Sequence, residues 1–159
     1  MSVTLRAAVP DDAATIHALI TALAVYEREP DAVEATPETL RVQLASPRPP
    51  FECLLAEADG VACGFALFFP TYSSWVGKPG IWLEDLFVLP SHRRRGVGRL
   101  LLQRLAQLTL ERGGGRLEWS VLDWNAPAIA FYRRIGAQAM DAWTIHRLHG
   151  DALRALAAD

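Results

Sequence analysis

The chain has 159 residues, 51% of them hydrophobic, and a formal net charge of −2. That length supports one globular domain with a full core, and the charge gives no basic field of the kind that draws a protein to nucleic acid. No apolar run is long enough to span a bilayer, the N-terminus lacks the basic and apolar regions of a leader, and Cys53 and Cys63 have neither C-x-x-C nor zinc-type spacing. The expectation is a cytoplasmic protein with no membrane partner, its two thiols buried in a reducing compartment.

In chain order, Val3 to Val9 alternates and predicts a first strand. Pro10-Asp11-Asp12 opens a helix with acids in its first turn, and Ile16, Leu19, Ile20 and Leu23 form its core stripe. Tyr26 to Asp31 leaves that helix as a charged, partly aromatic loop. A short helix follows from Thr36-Pro37 to about Leu44, ended by Pro47, Pro49 and Pro50. Phe51 to Ala58 and Val61 to Phe69 read as strands joined by Asp59-Gly60, a strong hairpin signal.

Pro70 to Gly80 reads as a loop carrying Tyr72 and Trp75, and Ile81 to Leu89 as a buried strand that Pro90-Ser91 ends. From Val97 the period changes: Val97, Leu100, Leu101, Leu105 and Leu108 share a helical face up to Gly113-Gly114-Gly115. A strand over Leu117 to Leu122 follows, then a helix capped by Asn125-Ala126-Pro127 and running to Gly136. Trp143 to Leu148 predicts a last strand, and an alanine-rich helix starts at Asp151. This order describes one α/β domain over residues 1–159: a single mixed, mostly antiparallel central sheet flanked by helices.

The stretch between the buried strand and its helix has three arginines beside Gly96 and Gly98. Backbone N–H groups at a helix N-terminus, with glycines that let a ligand approach, suit a phosphate. An ordinary solvated turn is the plainer alternative. A Walker A loop is excluded, since no Gly-Lys-Ser/Thr follows. A dinucleotide-binding turn fails on three counts: Leu101 stands at the third glycine position, Glu118 falls at the start of its strand, and several residues separate strand from glycine.

What remains, Arg93-x-x-Gly96-x-Gly98 opening an amphipathic helix, resembles the acyl-CoA diphosphate loop of the GNAT superfamily of N-acetyltransferases. Asn125-x-x-Ala128-x-x-Phe131-Tyr132 resembles that superfamily's second hallmark, and element order matches from Val3 to Arg147. Leu83-Glu84-Asp85-Leu86-Phe87-Val88, Trp124-Asn125-Ala126-Pro127 and Thr71 to Lys78 are similar to its diamine (spermidine/spermine) acetyltransferase branch. The resemblance implies acetyl-CoA as co-substrate without a metal. It implies contacts to that co-substrate from Leu86, Phe87, Val88, Arg93, Arg94, Arg95, Gly96, Val97, Gly98, Arg99, Asn125 and Tyr132. It also implies a homodimer.

The chemistry is consistent with those residue types. An amine of pKa near ~10.4 arrives protonated at neutral pH, so transfer needs a carboxylate to hold the cation and draw off its proton. Glu84 and Asp85 are strand neighbours and are expected on opposite faces of the sheet. The resemblance favours Glu84 as base, with Asp85 touching substrate. Tyr132 is either a core tyrosine or, by its family position, the acid for the departing thiolate. Tyr26, Glu27 and Trp75 fall in the loops that resemble the amine-binding walls. Ser73-Ser74 stand where polyamine-specific members tend to carry an acid, so a thialysine- or lysine-like amino acid or a diamine competes with a long polyamine. A peptide N-acetyltransferase and a CoA-binding module without turnover stay open as alternatives. His17, His92, His146 and His149 show no metal spacing.

Overall fold

Asp59 and Gly60, at φ 51° and 80°, close the hairpin between strands β2 (Glu52–Ala58) and β3 (Val61–Ser73). Positive φ at both central residues is the geometry whose twist matches flanking strands. Strand β1 (Val3–Ala7) pairs antiparallel with β2, and β3 pairs antiparallel with β4 (Lys78–Val88). Strand β5 (Arg116–Glu118) joins β4 in parallel, giving a five-stranded mixed sheet of order β1-β2-β3-β4-β5. The computed structural model describes residues 2–158. Among these, no helix is long and apolar enough to cross a membrane.

One face of the sheet carries helices α1 (Ala13–Tyr26) and α2 (Pro37–Leu44). Ile16, Leu19, Leu23 and Leu40 pack there with Phe51, Cys53, Leu55, Phe65, Leu67 and Phe87 in one buried cluster. Pro10-Asp11-Asp12 form a single 3-10 turn ahead of α1, because Asp12 reaches back to the Val9 N–H (2.8 Å) and holds Arg6. Thr36 caps α2 as expected, accepting from the Thr39 N–H at 3.1 Å. Helix α3 (Val97–Glu111) buries Val97, Leu101, Leu102 and Leu105 and contacts β2, β3 and β4.

Three sequence expectations are corrected. Pro70 to Gly80 is mostly strand: β3 continues to Ser73 and only Ser74 to Gly77 turn. Proline argues against a strand interior, yet Pro70 pairs with Ile81 and Pro79 with Tyr72 in the lengthened ladder. Strand β5 ends at Glu118 rather than Leu122. Trp143 to Leu148 makes no strand, and Trp143 and Ile145 are 68% and 72% exposed. An alternating apolar pattern alone does not make a strand, because strand preference depends on context rather than on the backbone.

The chain divides into two compact units, Met1–Ser120 and Val121–Asp159. The second contains α4 (Ala126–Arg134), capped by the Asn125 side chain accepting from the Ala128 N–H, and α5 (Gly150–Ala158).

Gly64 sets how closely β3 approaches the end of β4. A Cβ there would lie 2.9 Å from the Phe87 carbonyl oxygen and 3.3 Å from Val88 Cγ2. Gly64→Ala is therefore expected to cost about 1–3 kcal/mol, read as a drop of several degrees in the unfolding midpoint.

Candidate active site

The site in the first unit is built where β4 breaks its own ladder. Leu67 opposes Asp85 but Phe68 opposes Leu83, so Glu84 is the extra residue of a β-bulge. This overturns the expectation that Glu84 and Asp85 point to opposite faces. Alternation holds along a regular strand, and an inserted residue cancels it locally. The charge of Glu84 instead acts on Asp85.

Glu27, which caps the C-terminus of α1, completes the group. Burial pushes the Asp85 carboxyl up to about 7, and the charges of Glu84 and Glu27 push the same way. Burial, then Glu84, also raises the Glu27 carboxyl. No cation is recorded against Glu27, Glu84 or Asp85 among the salt bridges of the described residues. Trp82, two residues before the bulge, donates from Nε1 to Glu84 Oε2 at 2.9 Å. The sequence reading missed Trp82. Its i, i+2 spacing to Glu84 was the available signal, since such residues share a strand face.

The turn after β4 has the donors a diphosphate requires. Gly96 (φ 80°) is the N-cap of α3, and the first helical bond runs from the Leu100 N–H to the Gly96 carbonyl at 2.9 Å. The N–H groups of Val97, Gly98 and Arg99 precede that bond and have no helical acceptor. Arg94, in the left-handed region at φ 60°, turns the chain between β4 and α3, and Arg94, Arg95 and Arg99 are exposed.

Beside this turn β4 has an open edge. Among the described residues, strand β5 pairs with β4 only over Gly80 to Trp82. The Leu89 N–H donates to the Cys63 carbonyl on β3, so by ladder alternation Phe87 faces β3 and the amides of Leu86 and Val88 face the opposite edge. An extended ligand bearing amides can add there as a further strand. The bulge and the diphosphate turn lie at either end of this short edge, so the residues present fit a pantetheine-bearing coenzyme.

Of the expected residues, the structure brings together Tyr26, Glu27, Glu84, Asp85, Phe87 and Arg93. The Arg93 guanidinium lies over the rings of Tyr26 (4.7 Å) and Phe87 (5.2 Å). Trp75 is not brought to this group: it sits at the β3–β4 turn, 85% exposed, and the strand rise puts that turn about 20 Å along β4 from Glu84. Asn125 and Tyr132 belong to the second unit, where Tyr132 lies beside Phe131 on α4 with ring centroids 5.7 Å apart. A recess of about 480 Å³ between β1, β2 and α3, floored by Phe51, Leu54, Phe68 and Leu108, contains none of the expected residues.

Comparison with known proteins bears on this geometry. The sequence profile of the acetyltransferase (GNAT) family matches residues 15–137. The L-ornithine N5-acetyltransferase NATA1 of Arabidopsis thaliana is 45% identical over 121 residues, covering 75% of this chain and 53% of that protein, so the chain spans about half of that relative. The thialysine N-epsilon-acetyltransferase of Bos taurus is 36% identical over 166 residues, covering 98% of this chain and 97% of that one. An integron cassette protein from the mobile metagenome of Vibrio cholerae shares the fold with a TM-score of 0.83 at 24% identity, over 100% of this chain and 99% of that one. An aminoglycoside N-acetyltransferase solved in complex with CoA shares it with a TM-score of 0.71 at 20% identity, over 92% and 94%.

Proposed function

The chain belongs to the acetyltransferase (GNAT) family, as an amine N-acetyltransferase, and from that premise we propose that it acetylates the side-chain amine of a short cationic amino acid, of the thialysine or ornithine kind, or a diamine. The observation that carries this reading is the bulge that inserts Glu84 beside Asp85 at the end of β4, with Glu27 at the C-cap of α1 close enough for the charges to act on Asp85. Clustered acids without a cation of their own are costly in a fold, and an ammonium group relieves that cost. A long polyamine is the weaker fit, because Ser73 and Ser74 supply no carboxylate for a distal charge.

Acetyl-CoA supplies the thioester carbonyl and a thiolate leaving group. The N–H groups of Val97, Gly98 and Arg99, with Arg94, Arg95 and Arg99 around them, bind its diphosphate. The backbone of Leu86 and the Val88 N–H hold the pantetheine amides, the Val88 carbonyl being bonded to Arg93, and an N–H on the same edge donates to the acyl oxygen. Glu27 and Asp85 hold the ammonium, and Glu84 takes its proton directly or through water. The resemblance of Asn125-x-x-Ala128-x-x-Phe131-Tyr132 to the family's second hallmark gives Asn125 to the sulfur end and makes Tyr132 the acid for the thiolate. A phenol of pKa near ~10 can protonate a thiolate near ~8.5 when the two are held together. Tyr132→Phe is accordingly expected to lower kcat about 10²-fold with little change in the KM for acetyl-CoA. Turnover near that of the parent enzyme would remove Tyr132 from the mechanism.

A homodimer and a cytoplasmic location belong to the same reading. The homodimer is what the resemblance to the diamine acetyltransferase branch implies, and sedimentation equilibrium tests it. Two free, buried cysteines suit a reducing compartment.

The test of the activity is thiol release from acetyl-CoA against ornithine, thialysine, lysine, putrescine, spermidine and a lysine peptide. The highest kcat/KM is expected with ornithine or thialysine. Turnover of the peptide alone would make this a peptide acetyltransferase, and acetyl-CoA binding without release across the panel would make it a non-catalytic CoA-binding module.

A further inference from the structure

Arg93 opens the diphosphate turn, yet its side chain is directed into the fold. Its Nε donates to the Val88 carbonyl at 2.9 Å, on the edge of β4 turned away from β3. Its guanidinium lies 4.7 Å from the centroid of Tyr26 and 5.2 Å from that of Phe87, and the two rings lie 6.3 Å apart, tilted by 53°. Arg93 is half-buried where Arg94, Arg95 and Arg99 are exposed. A planar guanidinium suits this double use, since its edge donates hydrogen bonds while its face packs on aromatic rings.

Tyr26 is the last residue of α1, and Glu27 follows as its C-cap, bonded from its N–H to the Leu23 carbonyl at 2.8 Å. Whatever fixes the Tyr26 ring therefore fixes Glu27, one of the three clustered acids. Phe87 stands two residues after Asp85 on β4 and is buried in the cluster that holds α1 to the sheet. Arg93 thus touches both elements that bring the carboxylates together, from the first position of the turn.

We propose that Arg93 is a positioning residue that holds Tyr26, and with it the acidic end of α1, against the end of β4, so that the amine-binding wall is built on the residue that opens the diphosphate turn. This rests on the assignment of the site given above. It divides the arginines by role: those exposed around Gly96 serve the anion, and Arg93 serves the amine.

The test is Arg93→Gln, Arg93→Lys, Tyr26→Leu and the double variant Arg93→Gln/Tyr26→Leu, each assayed for amine KM and for acetyl-CoA Kd by calorimetry without amine. Arg93→Gln is expected to raise the amine KM roughly three- to thirty-fold, the range of a partly buried cation–π contact, while the acetyl-CoA Kd stays within about two-fold. The double variant is expected to be no worse than Tyr26→Leu alone, because both changes break one contact. Arg93→Lys keeps the charge but cannot cap Val88 and lie flat on both rings, so it should repeat the pattern if the glutamine variant does not fold. A larger rise in acetyl-CoA Kd than in amine KM, or effects that multiply in the double variant, would overturn the proposal.

Should the parent enzyme turn over no amine in the panel, the proposed function fails, and the strut is judged by nuclear magnetic resonance instead. The Arg93 Nε–H signal is expected to be slow to exchange and ring-shifted, and to lose both properties in Tyr26→Leu. An unchanged signal in that variant would end the idea independently of activity.

Discussion

Glu84→Gln is expected to lower kcat by roughly two to four orders of magnitude at neutral pH, the usual contribution of a general base. Glutamine is nearly isosteric and keeps an oxygen to accept from Trp82 Nε1, so the bulge and its 2.9 Å hydrogen bond should survive. The loss would then be chemical rather than structural, and acetyl-CoA Kd should stay within about two-fold. The pH profile separates this from a general weakening. An amine with pKa near ~10.4 gains about tenfold in free base for each pH unit between 7 and 10. The variant, having lost its means of taking the proton, should recover along that slope, while the parent enzyme should change less. Thiol release measured from pH 6.5 to 9.5 decides it. A variant whose profile runs parallel to the parent's would move the base to another group, with Asp85 the first to examine.

The parts of the molecule legible in the sequence are those specified by neighbours along the chain. Asp59-Gly60 dictates its hairpin, Thr36 and Asn125 cap their helices, and Gly96 ends the turn between β4 and α3, all through contacts within a few residues. The parts that were not legible depend on register between distant strands. Nothing local distinguishes Glu84 from a regular strand residue. It becomes a bulge because Leu67 and Phe68 on β3 keep their own alternation while β4 carries one residue more. The same ladder carries β3 past Pro70, overriding a residue that by itself argues for a loop. Trp143 to Leu148 fails in the opposite direction, with an alternating apolar pattern but no strand. The direction of Arg93 was also hidden, because one arginine among three is chosen by the aromatic rings of α1 and β4, not by its motif.

Asp85→Asn is expected to stabilise the protein above neutral pH while damaging its use of the amine. In the unfolded chain an aspartate titrates near ~3.9, whereas in the fold burial and the charges of Glu84 and Glu27 hold Asp85 up to about 7. Between those values the folded chain keeps a proton that the unfolded chain has released, so stability falls as pH rises through this window and stays low above it. The raised Glu27 carboxyl acts in the same direction. A shift of this size corresponds to about 4 kcal/mol, discounted in the variant because asparagine is still a half-buried polar group. The unfolding midpoint of Asp85→Asn should therefore match the parent's near pH 4 and exceed it by on the order of 5 °C at pH 8. Binding an ammonium reverses the logic: the cation favours charged Asp85, so below pH 7 the amine has to expel a proton to bind. The parent's amine KM should then rise by up to about tenfold for each pH unit of acidification, and Asp85→Asn should lose that slope at a uniformly higher KM. A carboxylate that costs the fold stability at working pH and is repaid only by a bound cation is what a site for a charged amine requires. Midpoints that track each other from pH 4 to pH 8 would show that Asp85 has no such raised pKa, and the amine-binding role drawn from it would go with it.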